Sequence, residues 1–296
     1  MPIARVVRAR VERKHRTAIA AGIALAIAMS PHRAFAADAI SSWLEMVTRT
    51  QDAQPHWVTP LATVTPRLEQ EYRFDFYSEK LPDHGTLNSY GASNRIEFIP
   101  AEKIQISIGI PSYQTRSSRA GNTVADGWGD WPVFVVKYRF LSANEEHGNY
   151  IVTAFFQASK PAGNAAFTSH VWTLQPTIAA GKGWGDFDLQ ATISEQFPLG
   201  ESAAEKRFGE PVLVNIAAQY HLLDVLWPEV ELNSTWWPSG TREGKIQSFV
   251  TPGIIFGRFR IRDRFQLVAG IGYQVAVSPH DPAYRNNIAV TARTTF

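Results

Sequence analysis

The sequence predicts an all-β fold, namely a transmembrane antiparallel up-and-down β-barrel of the bacterial outer-membrane type with about 12 strands. Three observations predict it. Apolar and polar residues alternate with a period of two over most of residues 67–296. The chain opens with a segment that has the pattern of an export signal, and its last segment is an alternating strand with the aromatic residue Phe296 at its end.

The first 36 residues have the pattern of a cleaved signal peptide. A basic head over residues 5–16 is followed by an apolar run over residues 18–29. This run is too short for a transmembrane helix, which needs roughly 20 apolar residues. The small-x-small sequence Ala34-Phe35-Ala36 predicts cleavage after Ala36. An uncleaved membrane anchor is the alternative.

Removal of the signal reverses the net charge. The whole chain has 29 Lys and Arg against 27 Asp and Glu, a net charge of +2, and residues 1–36 hold seven of these bases and one acid. The remaining 22 bases and 26 acids give a net charge of −4. We therefore expect no nucleic-acid partner. The chain has no cysteine, which excludes disulfides, thiolate catalysis and cysteine metal sites, and no cofactor is predicted.

Residues 37–66 differ from the segments that follow. Residues 41–47 are compatible with one or two helical turns, whereas residues 51–66 contain three prolines and have no clear period. We interpret residues 37–66 as a loosely ordered periplasmic lead-in and residues 67–296 as the barrel domain.

The period of two predicts each strand in turn. In the first strand Tyr72 and Phe74 share one face while Glu71 and Arg73 share the other. The fifth strand is apolar on both faces, and the register of both the fifth and the tenth strand is left undefined. The predicted strands lie at residues 67–76, 87–99, 103–110, 133–140, 149–159, 171–180, 186–193, 212–221, 229–236, 245–256, 264–277 and 286–296.

The connections between these strands alternate in length. Most connections after even-numbered strands are short, and those after odd-numbered strands are longer and polar. Short periplasmic turns and long outer loops are typical of outer-membrane barrels. A soluble β-sandwich or a lipocalin-like barrel in the periplasm is the competing fold. Strands of about ten residues, long enough to cross a bilayer at a tilt, favour the membrane barrel.

The polar strand faces carry the candidate functional residues. In a membrane barrel the apolar face contacts lipid and the polar face lines the lumen. Eight acids and six bases are expected to point inward: Glu69, Glu71, Arg73, Asp75, Arg95, Glu97, Lys137, Arg139, Asp186, Asp188, Glu229, Glu231, Arg264 and Arg293. They would either pair into a salt-bridge plug or flank an aqueous path, and the sequence leaves both open.

Catalytic chemistry is not expected. Ser169 and His170 are adjacent, and neighbours on a strand point to opposite faces, so they form no dyad by themselves. His221 is predicted on the polar face, away from any obvious serine. No histidine pair or carboxylate cluster has metal-ligand spacing. We therefore predict no enzyme activity, no catalytic residue and no metal site.

A short motif carries a family resemblance. Residues 126–133 contain Gly-Trp-Gly-Asp and are followed by Lys137-Tyr138, which resembles the Gly-x-Gly-Asp … Lys-Tyr pattern of outer-membrane proteins named for the meta-pathway of phenol degradation. The resemblance implies a barrel of about twelve strands that transports small aromatic or hydrophobic compounds, and it implies no binding residues. A related sequence recurs at residues 183–188. We interpret both copies as turn devices at the lipid interface.

These observations together predict a passive outer-membrane channel for small solutes. The expected partners are outer-membrane lipid, the solutes themselves and the barrel-assembly machinery, which would read Phe296 as its signal. The alternatives are a structural barrel with a plugged lumen and no transport, and a lipid-active outer-membrane hydrolase.

Overall fold

A computed structural model describes residues 30–200, 202–278 and 282–296. The basic head and the apolar run of the predicted signal lie outside these residues, and cleavage after Ala36 stays a prediction. The chain forms two compact units, Met1–Met46 and Val47–Phe296. Helix α1 covers Ser30–Asp52. Among the described residues, no helix combines the length and the apolar character that crossing a membrane requires.

The second unit contains a single antiparallel sheet. Its strands, in chain order, are β1 Glu71–Lys80, β2 Thr86–Tyr90, β3 Arg95–Ala101, β4 Ile104–Gly109, β5 Tyr113–Ser117, β6 Thr123–Trp128, β7 Trp131–Ala143, β8 Tyr150–Lys160, β9 Thr173–Trp184, β10 Phe187–Glu195, β11 Phe197–Pro198, β12 Val212–Tyr220, β13 Leu226–Trp236, β14 Ile246–Arg262, β15 Phe265–Ala276 and β16 Asn286–Thr295.

The sheet closes because its first and last strands pair. Glu71 lies opposite Thr295, and Lys80 lies opposite Asn286. On its other side β1 pairs with both β2 and β3. In turn, β2 pairs with β5, and β3 pairs with β4. The pairs β2–β3, β4–β5 and β6–β7 therefore each form one interrupted spanning strand, and β11 is a two-residue addition beside β9. The barrel has twelve spanning strands, which confirms the predicted fold class and strand number.

Alternate residues of each strand point into and out of the barrel. In β4, Gln105 and Ser107 are buried, whereas Ile108 is 49% exposed. In β16, Asn287 and Thr291 are buried, while Ile288 is 45% exposed. An apolar outer face around a polar interior inverts the order of a soluble protein and suits a barrel surrounded by lipid. The soluble sandwich and lipocalin-like alternatives are therefore wrong.

The two ends of the barrel differ in their connections. At one end, here called the turn end, the strands are joined by residues 102–103, 144–149, 185–186, 221–225 and 263–264. The opposite end, the loop end, has longer connections, among them residues 161–172 and 199–211. The second of these holds helix α2 Ala203–Phe208, which begins with a capping box between Ser202 and Glu205. This asymmetry agrees with the predicted short turns and long loops.

The two Gly-Trp-Gly-Asp copies lie at opposite ends. At the loop end, the Asn164 N–H donates to the Trp128 carbonyl at 2.8 Å, and the Asp130 carboxylate accepts the Ser169 N–H at 3.0 Å. This first copy therefore anchors the 161–172 connection. At the turn end, Gly185 has a φ of +61°, which lets the β9–β10 turn close. The Gly-Trp-Gly-Asp sequence thus anchors a long connection at the loop end and forms a tight turn at the turn end.

Candidate functional site: the occupied barrel interior

The interior of the barrel is occupied by its own chain. Residues 53–70, here called the luminal loop, lie between α1 and β1, and nearly all of them from Gln54 onward are buried. The loop is closed at its base because the Gln54 side chain bonds both backbone groups of Leu68, at 2.8 and 2.9 Å. The predicted loosely ordered periplasmic lead-in over residues 37–66 is therefore corrected for residues 53–66. The prolines and the missing period of this segment suggested disorder, but its backbone polar groups are hydrogen-bonded to side chains of the barrel.

Two carboxylates of β13 hold the N–H groups of the loop tip. Glu229 and Glu231 are two residues apart and point to the same face, into the barrel. Glu229 accepts the Leu61 N–H at 3.1 Å. Glu231 accepts the Ala62 N–H at 2.7 Å and the Thr63 N–H at 2.5 Å. Buried backbone N–H groups need such acceptors, because leaving one unpaired away from water costs free energy.

Cationic side chains hold the carbonyl groups of the same loop. They come from three separate strands, β1, β7 and β16, and are almost completely buried. Arg73 donates to Leu61 at 2.5 Å, Lys137 to Thr65 at 2.9 Å and to Arg67 at 2.8 Å, and Arg293 to Thr59 and, at 2.7 Å, to Pro60. The loop is therefore bound from several sides of the barrel.

Glycines of the barrel make room for two large side chains of the loop. A Cβ on Gly181 would lie 2.5 Å from the Trp57 ring, and one on Gly183 would lie 2.9 Å from Trp57 Nε1. Leu61 fits in the same way, since a Cβ on Gly253 would lie 2.5 Å from its Cδ1 atom. A Cβ on Gly270 would lie 2.9 Å from Leu61 Cδ2, and one on Gly272 would lie 2.6 Å from Leu61 Cδ1. The barrel wall thus has two glycine-floored positions, one formed by Gly181 and Gly183 for Trp57 and one formed by Gly253, Gly270 and Gly272 for Leu61.

Most of the fourteen predicted lumen residues are buried, and several form ion pairs. Arg73 Nε is 2.7 Å from Asp75 Oδ2, and Arg95 pairs with Glu97. Arg95 is only partly buried. The buried members are Glu69, Glu71, Arg73, Asp75, Glu97, Lys137, Arg139, Asp188, Glu229, Glu231 and Arg293.

Two predicted lumen residues lie instead in turns. Asp186 is exposed between β9 and β10, and Arg264 is half-buried between β14 and β15, where its Nη1 donates to Thr48 Oγ1 at 2.5 Å. The inward assignment is wrong for Asp186, because the strand alternation from which it was extrapolated ends at the turn.

Neutral amides and two further arginines complete the site, and the candidate lumen residues chosen from the sequence, which were all charged, did not include them. Gln190 Nε2 donates to the Val58 carbonyl at 3.1 Å, and Gln105 Oε1 accepts the Glu69 N–H at 2.7 Å. The strand period correctly places both glutamines on the inward face, but neither was chosen as a candidate site residue. Arg67 and Arg258 both donate to the Trp57 carbonyl.

At the turn end, the loop is fixed to a 3₁₀ helix, Glu145–His147. The His56 N–H donates to Glu145 Oε1 at 2.6 Å, and its ring Nδ1 lies 2.7 Å from Oε2. Burial raises the pKa of the Glu145 carboxyl, but the hydrogen bonds from His56 lower it more, so that this pKa lies below its ordinary value. The contact is half-exposed.

The residues considered for catalysis lie apart. Ser169 is at the loop end, where its hydroxyl donates to the Val171 carbonyl at 3.1 Å. His221 is at the turn end, where its ring stacks on Trp227 with centroids 4.2 Å apart. Within the described residues, no group of three or more His, Asp or Glu side chains is arranged to hold a metal ion.

Phe296 is placed beside the turn end of β15. Its ring centroid is 6.3 Å from that of Phe265, and its N–H donates to the Gln70 carbonyl at 3.1 Å. Its role in assembly stays a prediction.

Comparison with solved structures shows the fold. An outer-membrane channel from Pseudomonas putida F1 aligns with a TM-score of 0.50 and 14% identity, covering 76% of this chain and 92% of that one. The chain has the fold of an outer-membrane β-barrel. The NanC porin aligns with a TM-score of 0.48 and 8% identity, over 76% of this chain and 98% of that chain. No family model matches the sequence, and no curated protein matches it.

Proposed function

We propose that this chain is an outer-membrane channel for small solutes, and that the luminal loop limits passage through it. The observation that supports this proposal is the partnership between the charges of the interior and the loop backbone. Lys137 and Glu231 bond to loop backbone groups, so a loop that left would leave behind a charged, water-compatible lumen.

Open space beside the loop supports the same proposal. A cavity of about 350 Å³ at the turn end is lined by residues that include Arg67, Arg258 and Gln266. Another cavity, of about 380 Å³, is lined by residues that include Trp57 and Asp188. Both adjoin the loop and would widen if it moved.

A structural barrel with a plugged lumen is the second candidate, and the number of bonds that hold the loop favours it. Conductance of the purified protein in planar bilayers separates the two. Leu61→Asp would place a carboxylate beside Glu229 and Glu231, which should expel the loop and raise conductance strongly over the wild type. Leu61→Asn, of equal size and uncharged, is the control for lost packing. An Asp variant that is folded and does not conduct would reject the channel.

The solute class remains part of the proposal. The motif resemblance described above suggests small aromatic compounds, and the test is block of the open channel by phenol. A channel that phenol leaves unblocked at millimolar concentration, while small ions pass, would reject this class.

Location in the outer membrane and use of the barrel-assembly machinery are proposed with the channel. Deletion of Phe296 should reduce membrane assembly far more than Thr295→Ala, because the terminal aromatic is the proposed signal. Assembly is measured as the fraction of protein that migrates faster on gels without boiling.

A further inference from the structure

The barrel binds the luminal loop mainly through its backbone. Between Trp57 and Arg67, barrel side chains make ten hydrogen bonds to backbone groups of the loop and two to its side chains. The bonded carbonyls are those of Trp57, Val58, Thr59, Pro60, Leu61, Thr65 and Arg67, and the bonded N–H groups are those of Leu61, Ala62 and Thr63.

These contacts have the character of peptide recognition. Every peptide offers the same carbonyl and N–H groups, so charges that bind them do not depend on the order of side chains. Selectivity comes from the two glycine-floored positions, which accept an aromatic residue, Trp57, and a leucine four positions later, Leu61. Pro60 and Pro66 each have a fixed φ angle, which lowers the backbone entropy lost on binding.

We propose that the barrel interior is a binding site for a looped peptide segment of a separate chain, and that residues 56–67 are its resident, tethered ligand. The peptide would carry an aromatic residue four positions before a leucine, and it would bind when the loop is displaced. This inference goes beyond the proposed channel and does not require that the barrel conducts.

The test uses a fluorescein-labelled synthetic peptide with the sequence of residues 56–67. Its binding to full-length protein in detergent micelles is followed by fluorescence anisotropy. We expect the Leu61→Asp protein, whose loop is expelled while the barrel side chains are unchanged, to bind the peptide at least about tenfold more tightly than the wild type, because the tethered loop competes in the wild type.

Backbone recognition is tested with modified peptides. N-methylation at Leu61, Ala62 and Thr63 removes the three bonded N–H groups and should weaken binding by at least about tenfold. The matched control carries one N-methyl group at Val64, whose N–H takes no part in the ten bonds, and it should bind as the unmodified peptide does. Replacing the tryptophan of the peptide by alanine should also weaken binding, since the aromatic anchor is lost.

Two outcomes would overturn the inference. One is equal affinity of the wild type and the Leu61→Asp protein for the unmodified peptide. The other is equal affinity of the triply methylated and unmodified peptides. Should the Asp variant fail to form the fast-migrating folded band, Thr63→Pro takes its place, because it removes a bonded N–H group without adding charge. Binding without conductance would reject the channel alone, and conductance without binding would reject this inference alone.

Discussion

The Glu231 carboxylate and the Thr63 backbone N–H are joined by a 2.5 Å hydrogen bond inside the barrel, and the other oxygen of the same carboxylate accepts the Ala62 N–H. One side chain of β13 therefore holds two successive residues of the loop tip. These two residues lie near the middle of the loop in sequence, between its paired ends at Gln54 and Leu68.

Glu231→Gln should loosen this tip. An amide keeps one acceptor oxygen, but its NH₂ group would face an N–H group where the carboxylate offered its second oxygen. A lost hydrogen bond to a charged group costs about 1.5–3 kcal/mol. We expect a higher open probability in planar bilayers, with the folded gel band retained. Glu195→Gln, at the loop end of β10, is the control, and equal open probability in the two variants would contradict the assignment.

Gly253→Ala should displace Leu61, because the new Cβ would lie 2.5 Å from Leu61 Cδ1. Overpacking of this kind costs about 1–3 kcal/mol. The double variant Gly253→Ala/Leu61→Ala should recover part of the loss, since the smaller side chain leaves room for the methyl group. Urea unfolding of all four proteins gives the coupling between the two sites. If the two single substitutions lowered the free energy of unfolding additively, the Gly253 and Leu61 positions would not be in steric contact.

Ile106→Arg should destabilise the barrel by about 2–4 kcal/mol, because the side chain points outward near the middle of a spanning strand. Ile106→Leu is the matched control. Stability is measured as the denaturant midpoint of the protein folded into lipid vesicles. An arginine variant as stable as the leucine variant would place this face in water rather than in lipid.

Acid should release the contact between His56 and Glu145. The folded-state pKa of Glu145 is lowered, so its contribution to stability is present above the ordinary carboxyl pKa of about 4.3 and is lost as the pH falls through the lowered value. Glu145→Gln should therefore be less stable than the wild type at neutral pH and equal to it in strong acid. A constant difference between the two proteins across that range would reject the linkage.

The strands and their faces could be predicted because their signal is local. Gln105 and Ile106 are neighbours, and the period of two alone assigns one to the interior and the other to the lipid face. The same reasoning failed at Asp186, which was predicted to begin a strand but lies in the turn just before β10 begins at Phe187. It also passed over Gln190, because only charged residues were taken as candidates for the interior.

The luminal loop could not be predicted because its contacts are distant in sequence. Ala62 and Glu231 are 169 positions apart, and nothing near either residue signals the other. A segment with three prolines and no period is typical of a disordered linker. Here the missing backbone partners are supplied by charged side chains of the strands, a solution that leaves no periodic pattern in the loop itself.

The clasp between Gln54 and Leu68 determines how the loop can move. One amide side chain pairs with the backbone of Leu68 as a neighbouring strand would, so the ascending and descending arms are tied together at their base. While these two hydrogen bonds hold, neither arm can leave the barrel without the other. A loop displaced with the clasp intact would therefore move as one closed unit. The pivot would lie beside the start of β1, the strand that also closes the barrel against β16.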